Sequence, residues 1–179
     1  MDFTVNTAIR VDSMGVYNAA GNGVVNGTLQ VAIFLNDGSG NMVAGTHVTF
    51  APGTYLQDLI NDGPYDVYQS IAPVILQPGN YSVVAVGFSA TDPNGNIGFP
   101  GGVGAVEDSS GLITYTGSAR YNSTQNGLLV FPQTVDTGPA NRYDAGTFEF
   151  SQTPEPGTFG LAIVASGLLF CVGRKRRRS

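Results

Sequence analysis

Residues 29–50 read LQVAIFLNDGSGNMVAGTHVTF, and this stretch decides the fold class. Apolar side chains fill residues 29–35 and recur up to Phe50, as they do in strands that are buried on one or both faces. Between them, residues 36–41 contain Asp-Gly and Gly-Asn steps, which favour the positive φ angles of tight hairpin turns. The stretch therefore predicts two antiparallel strands, residues 29–35 and 42–50, joined by a turn.

Similar alternation continues on both sides of this hairpin. It predicts further strands over residues 8–17, 65–71, 81–89, 112–121, 127–131 and 145–150. No stretch before residue 159 has both the length and the 3.6-residue period of an amphipathic helix. With 25 Gly and 10 Pro to form turns, the chain is predicted to be all-β, an antiparallel β-sandwich or jelly-roll-like domain over residues 1–151.

The alternation in residues 8–17 also predicts which side chains share a face. Ile9, Val11, Gly15 and Tyr17 are expected on one face. The opposite face is expected to carry Arg10, Asp12 and Met14. Elsewhere, residues 51–64 are predicted to be a loop, and residues 77–80 (QPGN) a tight turn.

Charge is divided by position along the chain. Residues 1–156 contain three basic and thirteen acidic residues, a formal charge of −10, whereas the last six residues add five positive charges. The acidic part has no Lys and cannot offer the cationic groove that phosphate backbones require. We therefore expect no nucleic-acid partner.

The C-terminus combines an apolar segment with a basic cluster. Residues 159–173 (FGLAIVASGLLFCVG) carry no charge and precede Arg174, Lys175, Arg176, Arg177 and Arg178. As a helix they would be about 22 Å long, shorter than a ~30 Å hydrocarbon core. Snorkelling of the basic side chains that follow and local thinning of the bilayer would make up the difference. We expect a short transmembrane helix at residues 159–173 and a cytoplasmic tail at residues 174–179. A buried C-terminal core helix is the alternative.

A short linker, residues 152–158, precedes this helix and contains Pro154, Glu155 and Pro156. The two prolines keep the carboxylate in an extended segment without regular hydrogen bonds, which a processing enzyme could bind. The Pro-Glu-Pro tripeptide, the apolar segment and the Arg-rich end together resemble the PEP-CTERM sorting signal of Gram-negative bacteria that make extracellular polysaccharide. Residues 3–150 also resemble a β-sandwich module of PEP-CTERM exoproteins that has no assigned activity.

The resemblance implies a route as well as a location. It implies export, transient anchoring in the inner membrane, and recognition by an exosortase, a membrane-embedded, cysteine-dependent, transpeptidase-like enzyme. Processing near residues 154–156 would release the mature domain to the cell surface or the exopolysaccharide matrix. A permanently tail-anchored protein with the same topology is the alternative.

Export of this kind requires a signal peptide at the N-terminus. The opening MDFTVNTAIR has no basic region followed by an apolar core and already alternates like a strand. We therefore expect the gene to start further upstream, with a signal peptide before Met1; whether a first strand also precedes Met1 is left open. A leaderless chain is the alternative, and it would contradict export.

Candidates for catalysis are few. His47 is the only His, and it falls in a predicted strand without a Gly-x-Ser-x-Gly motif elsewhere, so we expect a partly buried structural residue. A glycosidase needs only two spaced carboxylates, and the candidates are Asp58, Asp62 and Asp66, or Glu107 with Asp108. Acidic loops in an acidic protein are usually solvated. We expect no enzymatic activity, with a secreted polysaccharide-active enzyme as an alternative.

Calcium is the small ligand with the best support in the sequence. Oxygen donors occur at alternate positions, as in a Ca²⁺ loop, in Asp37, Ser39 and Asn41 and again in Asp92, Asn94 and Asn96. Neither set has the Gly at the sixth position or the Glu at the twelfth position of a Ca²⁺ loop. Tight turns explain both sets, so no cofactor is expected unless calcium binds there.

Tyrosines make sugar binding a further alternative. Aromatic faces pack well on sugar rings, and Tyr65 with Tyr68, or Tyr115 with Tyr121, could supply them. Core packing of alternate tyrosines explains the same pattern. The sequence therefore predicts an exported surface or exopolysaccharide-associated protein with a structural or adhesive role, and leaves open a Ca-dependent carbohydrate-binding module.

Overall fold

A computed structural model describes residues 1–18, 23–25, 27–53, 66–96, 110–122 and 127–153. Every strand pair in this part of the chain is antiparallel, and no helix occurs in it. The all-β prediction is therefore confirmed over the described residues. The predicted helix at residues 159–173 lies outside them, as does most of the predicted loop at residues 51–64.

The described part contains twelve strands. They are β1 (Asp2–Val5), β2 (Ile9–Tyr17), β3 (Leu29–Leu35), β4 (Val48–Phe50), β5 (Asp66–Leu76), β6 (Gly79–Val86), β7 (Gly95–Asn96), β8 (Ile113–Tyr115), β9 (Arg120–Tyr121), β10 (Thr134–Val135), β11 (Tyr143–Asp144) and β12 (Gly146–Gln152). The strand predicted at residues 29–35 is confirmed with the same bounds as β3.

Two sheets form the body of the domain. The larger has the order β4-β3-β6-β1-β8 and the smaller β12-β2-β5, while β9–β10 and β7–β11 form two-stranded ribbons. The sheets face each other across a shared apolar core: the Phe3 ring on β1 lies 4.9 Å from the Phe148 ring on β12. Gly146 brings β12 close to the larger sheet, where an added Cβ would lie 2.9 Å from Val31. Two facing sheets with one core between them define a β-sandwich.

A β-bulge changes which residues of β2 face the core. The pairing of β2 with both neighbours shifts register between Val11 and Ser13, so the alternation restarts there. Met14, expected on the face opposite Ile9 and Val11, is fully buried in the core with them. Gly15, expected on the same face as Ile9 and Val11, instead lies beneath the Tyr68 ring. The face prediction was therefore wrong beyond the bulge.

The predicted hairpin is confirmed, but its second strand is shorter than expected. β3 pairs with β4 over Val48–Phe50, and before it only the isolated bridge between Phe34 and Met42 joins the two segments. The Thr46 hydroxyl accepts the Ile33 N–H at 3.0 Å and donates to the Val43 carbonyl at 2.8 Å. A side chain thus replaces the backbone partner and interrupts the ladder.

The segment predicted as a strand at residues 127–131 is not a strand in the structure. Leu129 and Phe131 instead pack on the outer face of the larger sheet, against Ala32, Phe34 and Val84. The alternation that predicted a strand therefore arises because alternate apolar side chains of this segment pack on the sheet, whose two faces are both buried.

The link between β5 and β6 crosses from one sheet to the other. β5 belongs to the smaller sheet and β6 to the larger, with Gln77 and Pro78 between them. β5 is longer than predicted and contains Pro73. It tolerates the proline because β2 is its only strand partner among the described residues, and an edge strand needs no donor on its open side.

Candidate functional site

The described domain ends where its last strand leaves the smaller sheet. β12 pairs with β2 as far as Gln152, opposite Ile9. The next residue, Thr153, donates to the Ala8 carbonyl from its backbone N–H at 3.3 Å and from its hydroxyl at 2.9 Å. Pro154 follows and has no N–H to donate. In the sequence, the Pro-Glu-Pro tripeptide thus begins two residues after the last paired residue of β12 and directly after the anchored Thr153.

Residues 152–178 match the PEP-CTERM protein-sorting motif. The chain carries a PEP-CTERM sorting signal. This signal implies exosortase as the processing partner, membrane-anchored transit, and export to the cell surface. No curated protein and no solved structure matches the chain.

Most of the sorting signal lies outside the described residues. This holds for Pro154, Glu155 and Pro156, for the apolar segment, and for the basic cluster Arg174, Lys175, Arg176, Arg177 and Arg178. Among the residues that are described, no helix is long and apolar enough to cross a membrane. The predicted transmembrane helix and basic tail stay predictions.

The first calcium candidate closes its own turn. The Asp37 carboxylate accepts the Ser39 N–H at 2.9 Å, and the Ser39 hydroxyl accepts the Asn41 N–H at 3.3 Å. The hydrogen bonds from Ser39 lower the pKa of Asp37 below its ordinary value. These oxygens therefore already stabilise the loop between β3 and the Met42 bridge.

The second calcium candidate is divided between two internal contacts. Asp92 accepts the Val25 N–H at 2.8 Å and so joins two loops. Asn96 accepts a hydrogen bond from Nε of Arg142 at 3.0 Å, and Asn94 donates to the Gly95 carbonyl at 3.3 Å. In the described part of the chain, no group of three or more His, Cys, Asp or Glu side chains could hold a metal ion. Calcium binding stays a prediction.

The sequence did not single out Asp144, a carboxyl group on β11 whose pKa is strongly raised. Burial raises its pKa to about 7, and the negative charge of Asp66 adds to the rise. Asp144 lies on β11 opposite Gly95, whereas Asp66 begins β5. A carboxyl group that stays protonated near neutral pH can act as a proton donor. Of the carboxylates proposed from sequence for glycoside hydrolysis, only Asp66 lies within the described residues.

His47 is exposed and precedes β4, so the expectation of a partly buried strand residue was wrong. Its Nε2 lies 3.1 Å from the Gln30 side-chain oxygen. The imidazole lies outside the core because Thr46 and Val48, on either side of it, are the buried residues.

A buried ion pair holds β9 against the larger sheet. The carboxylate of Asp2 is buried on the outer face, and its two oxygens share the single N–H of Arg120 Nε in a bifurcated hydrogen bond, at 2.8 and 3.0 Å. The Ser82 hydroxyl donates to the same carboxylate. The Arg120 guanidinium also lies 5.0 Å from the centre of the Phe131 ring. These contacts place Tyr121 and Asn122 beside β6.

A cleft of about 250 Å³ lies beside β6, next to Met1, the residue that precedes β1. Its lining includes the aromatic residues Phe88, Tyr121 and Tyr143. Leu128, Gly146 and Asn94 also line it. The cleft therefore combines aromatic, apolar and amide groups between the larger sheet and its ribbons.

The tyrosines proposed to bind sugars have different positions. Tyr115 packs edge-on against Phe3, with ring centres 6.2 Å apart, and Tyr68 is buried beside Thr147. Tyr65 lies outside the described residues. Of the three proposed tyrosines that the structure describes, only Tyr121, which is 43% exposed, lines the cleft.

Proposed function

We propose that the mature domain is a non-enzymatic structural or adhesive protein of the cell surface or the exopolysaccharide matrix. The observation that carries the proposal is the sorting signal at residues 152–178, which begins as the last strand of the β-domain ends. A folded domain joined directly to a processing signal suits release at the surface, because cleavage after Thr153 would leave every described strand intact.

The character of the described domain supports a structural role. Its candidate metal-binding oxygens are engaged in turns and loop contacts, and its one His is exposed and bonded to a Gln. Only 12% of the whole chain is charged. The domain therefore offers a stable β-framework with polar loops rather than a cluster of reactive groups.

The proposal is tested by intact mass and fractionation of the full-length gene product, expressed with its native upstream region in hosts with and without exosortase. We expect a C-terminal fragment beginning near residues 154–157 to be lost only when exosortase is present, with the remaining domain at the surface or in the matrix. Replacing Pro154 and Pro156 by Ala should prevent cleavage, whereas Pro139→Ala, in an exposed loop, should not. An uncut chain in the inner membrane of both hosts would establish a tail anchor instead.

A second candidate, a polysaccharide-active enzyme, is favoured by one observation. Asp144 has a pKa of about 7 through burial and the charge of Asp66, which is the property a general acid needs in glycoside hydrolysis. The test is release of reducing ends from soluble polysaccharides by the full chain. Release by the wild type that is lost in both Asp144→Asn and Asp66→Asn would support enzymatic activity. If the wild type releases no reducing ends, the enzyme hypothesis is wrong and the structural role is retained.

A further inference from the structure

The end of the smaller sheet fixes where the paired part of β12 stops. β2 begins at Ile9, and the chain before it crosses to the larger sheet, where the Asn6 N–H donates to the Leu112 carbonyl at 2.8 Å. Beyond Ala8, β12 therefore has no further residue of β2 to pair with. Ala8 itself already accepts both donors of Thr153. The ladder between these two strands thus ends at Thr153.

The last residues of β12 are held by the sheet and by the core. Gln152 is paired with β2, and the Phe150 ring lies 5.6 Å from the ring of Phe148 in the core. Drawing Thr153 and Gln152 into the cleft of another protein would break ladder hydrogen bonds and pull on Phe150. The chain that exosortase can bind without opening this strand therefore begins at Pro154.

The two prolines divide the peptide bonds of the signal into two kinds. The bonds that precede Pro154 and Pro156 are tertiary amides, because their nitrogen carries the proline ring. The ring crowds both this nitrogen and the residue before it, where an attacking thiolate must approach. The bonds that follow the two prolines, to Glu155 and to Gly157, have ordinary N–H groups. They are the better substrates for cleavage.

The anchor at Thr153 distinguishes these two bonds. A cleft that binds its substrate as an extended strand contacts several residues before the bond that it cuts. For the bond after Pro154, those residues include Thr153 and Gln152, which the sheet already holds. For the bond after Pro156, the whole Pro-Glu-Pro tripeptide precedes the cut. Only two residues then separate the cut from the apolar segment that starts at Phe159, so the bond lies close in sequence to the part expected in the membrane with the enzyme.

We propose that exosortase cuts the bond between Pro156 and Gly157, so that the Pro-Glu-Pro tripeptide stays on the mature domain. The cysteine thiolate of the enzyme attacks the Pro156 carbonyl and forms a thioester. The bond to the Gly157 nitrogen breaks, and this nitrogen takes a proton from the enzyme and leaves as an amine. Water then releases the domain as a carboxylate, or an amine releases it as an amide, and either step frees the thiol. The proposal rests on the processing proposed above and names the bond at which it occurs.

The test is mass spectrometry of the processed domain, made from the full-length gene product with its native upstream region in a host with exosortase. Trypsin cuts after Arg142, and no basic residue follows until position 174, so the last peptide of the domain begins at Tyr143. We expect this peptide to end at Pro156, either as the free acid or with the added mass of an amine. A peptide that ends at any other residue would overturn the assignment of the bond while leaving the sorting role intact. An uncut chain would overturn both.

Two proline variants beyond β12 form a matched pair. Gly157→Pro turns the proposed bond into one that precedes a proline, and should lower the processed fraction about tenfold or more. Thr158→Pro places the same ring one bond further along the chain and should be processed like the wild type. Normal processing of Gly157→Pro would overturn the assignment. Loss of processing in Thr158→Pro alone would also overturn it, and would place the cut after Gly157 instead.

Discussion

The inner and outer faces of the larger sheet are covered by different means. The inner face meets a second sheet, and its residues Phe3, Ile33 and Phe50 are fully buried in an apolar core. The outer face is covered by an irregular segment that carries Phe131 and by an ion pair between Asp2 and Arg120. The inner face thus stabilises the fold through close packing, whereas the outer face positions individual groups, including those beside the cleft.

The comparison predicts the largest loss of stability for a truncation on the inner face. Phe3→Ala removes a fully buried ring that packs on Tyr81, Tyr115 and Phe148, and should lower the free energy of unfolding by about 4 kcal/mol. Urea denaturation measures the change. Phe34→Ala on the outer face is the control and should cost less, because the irregular segment over it can collapse onto the cavity. Equal losses would show that the two faces are packed alike.

A second prediction compares buried carboxyl groups. Asp2 is buried beside a cation, whereas Asp144 is buried and feels the negative charge of Asp66. The pKa of Asp144 is about 7 in the folded state, against an ordinary value of 3.8. Between these two values the folded state keeps a proton that the unfolded state has lost. The free energy of unfolding should therefore fall by about 3 kcal/mol as the pH rises from 4 to 8.

Asp144→Asn removes this dependence, since the amide is always neutral. The variant should match the wild type at pH 4 and be more stable at pH 8, as measured by urea denaturation at both values. Asp37→Asn is the control with the opposite sign, because hydrogen bonds from Ser39 lower the pKa of Asp37. A wild type whose stability is the same at both pH values would contradict the raised pKa of Asp144.

The third prediction breaks the ion pair of the outer face. Arg120→Met leaves the buried Asp2 carboxylate without its cation and should cost about 2 kcal/mol, since Arg120 retains some contact with solvent. Combining it with Asp2→Leu should recover most of the loss, because no buried charge remains. If the double variant is as unstable as Arg120→Met, the pair contributes more than charge compensation.

A smaller effect is expected for the side chain that interrupts the β3–β4 ladder. Thr46→Val removes the hydroxyl that bonds Ile33 and Val43, and should cost about 1 kcal/mol in thermal or urea unfolding. Thr49→Val, on the exposed side of β4, should have little effect. Equal stability of the two variants would mean that water replaces the Thr46 hydroxyl.

The smallest effect is expected for calcium. The carboxylates of Asp37 and Asp92 already accept backbone hydrogen bonds. The melting temperature should therefore be the same in millimolar Ca²⁺ as in the presence of a chelator. A higher melting temperature with Ca²⁺ would instead support the Ca-dependent carbohydrate-binding module.

Local patterns made the strands and the sorting signal predictable. The apolar run of residues 29–35 gives the bounds of β3, and the Asp-Gly turn gives the hairpin with β4. The three-part order of the C-terminus predicted the motif found at residues 152–178. The bulge between Val11 and Ser13 was not predictable, because one extra residue reverses the alternation without a local signal.

By itself, the sequence determined that this protein is a β-rich chain with a PEP-CTERM sorting signal, because both depend on residues that are close together along the chain. Tertiary structure decided what lies at each surface. The Asp2–Arg120 pair joins residues 118 positions apart, and the cleft gathers Met1, Tyr121 and Tyr143 around β6. Such contacts depend on the order in which the strands pair. The alternation of apolar and polar residues along a strand shows which face is buried, but it is the same for every strand order that buries that face.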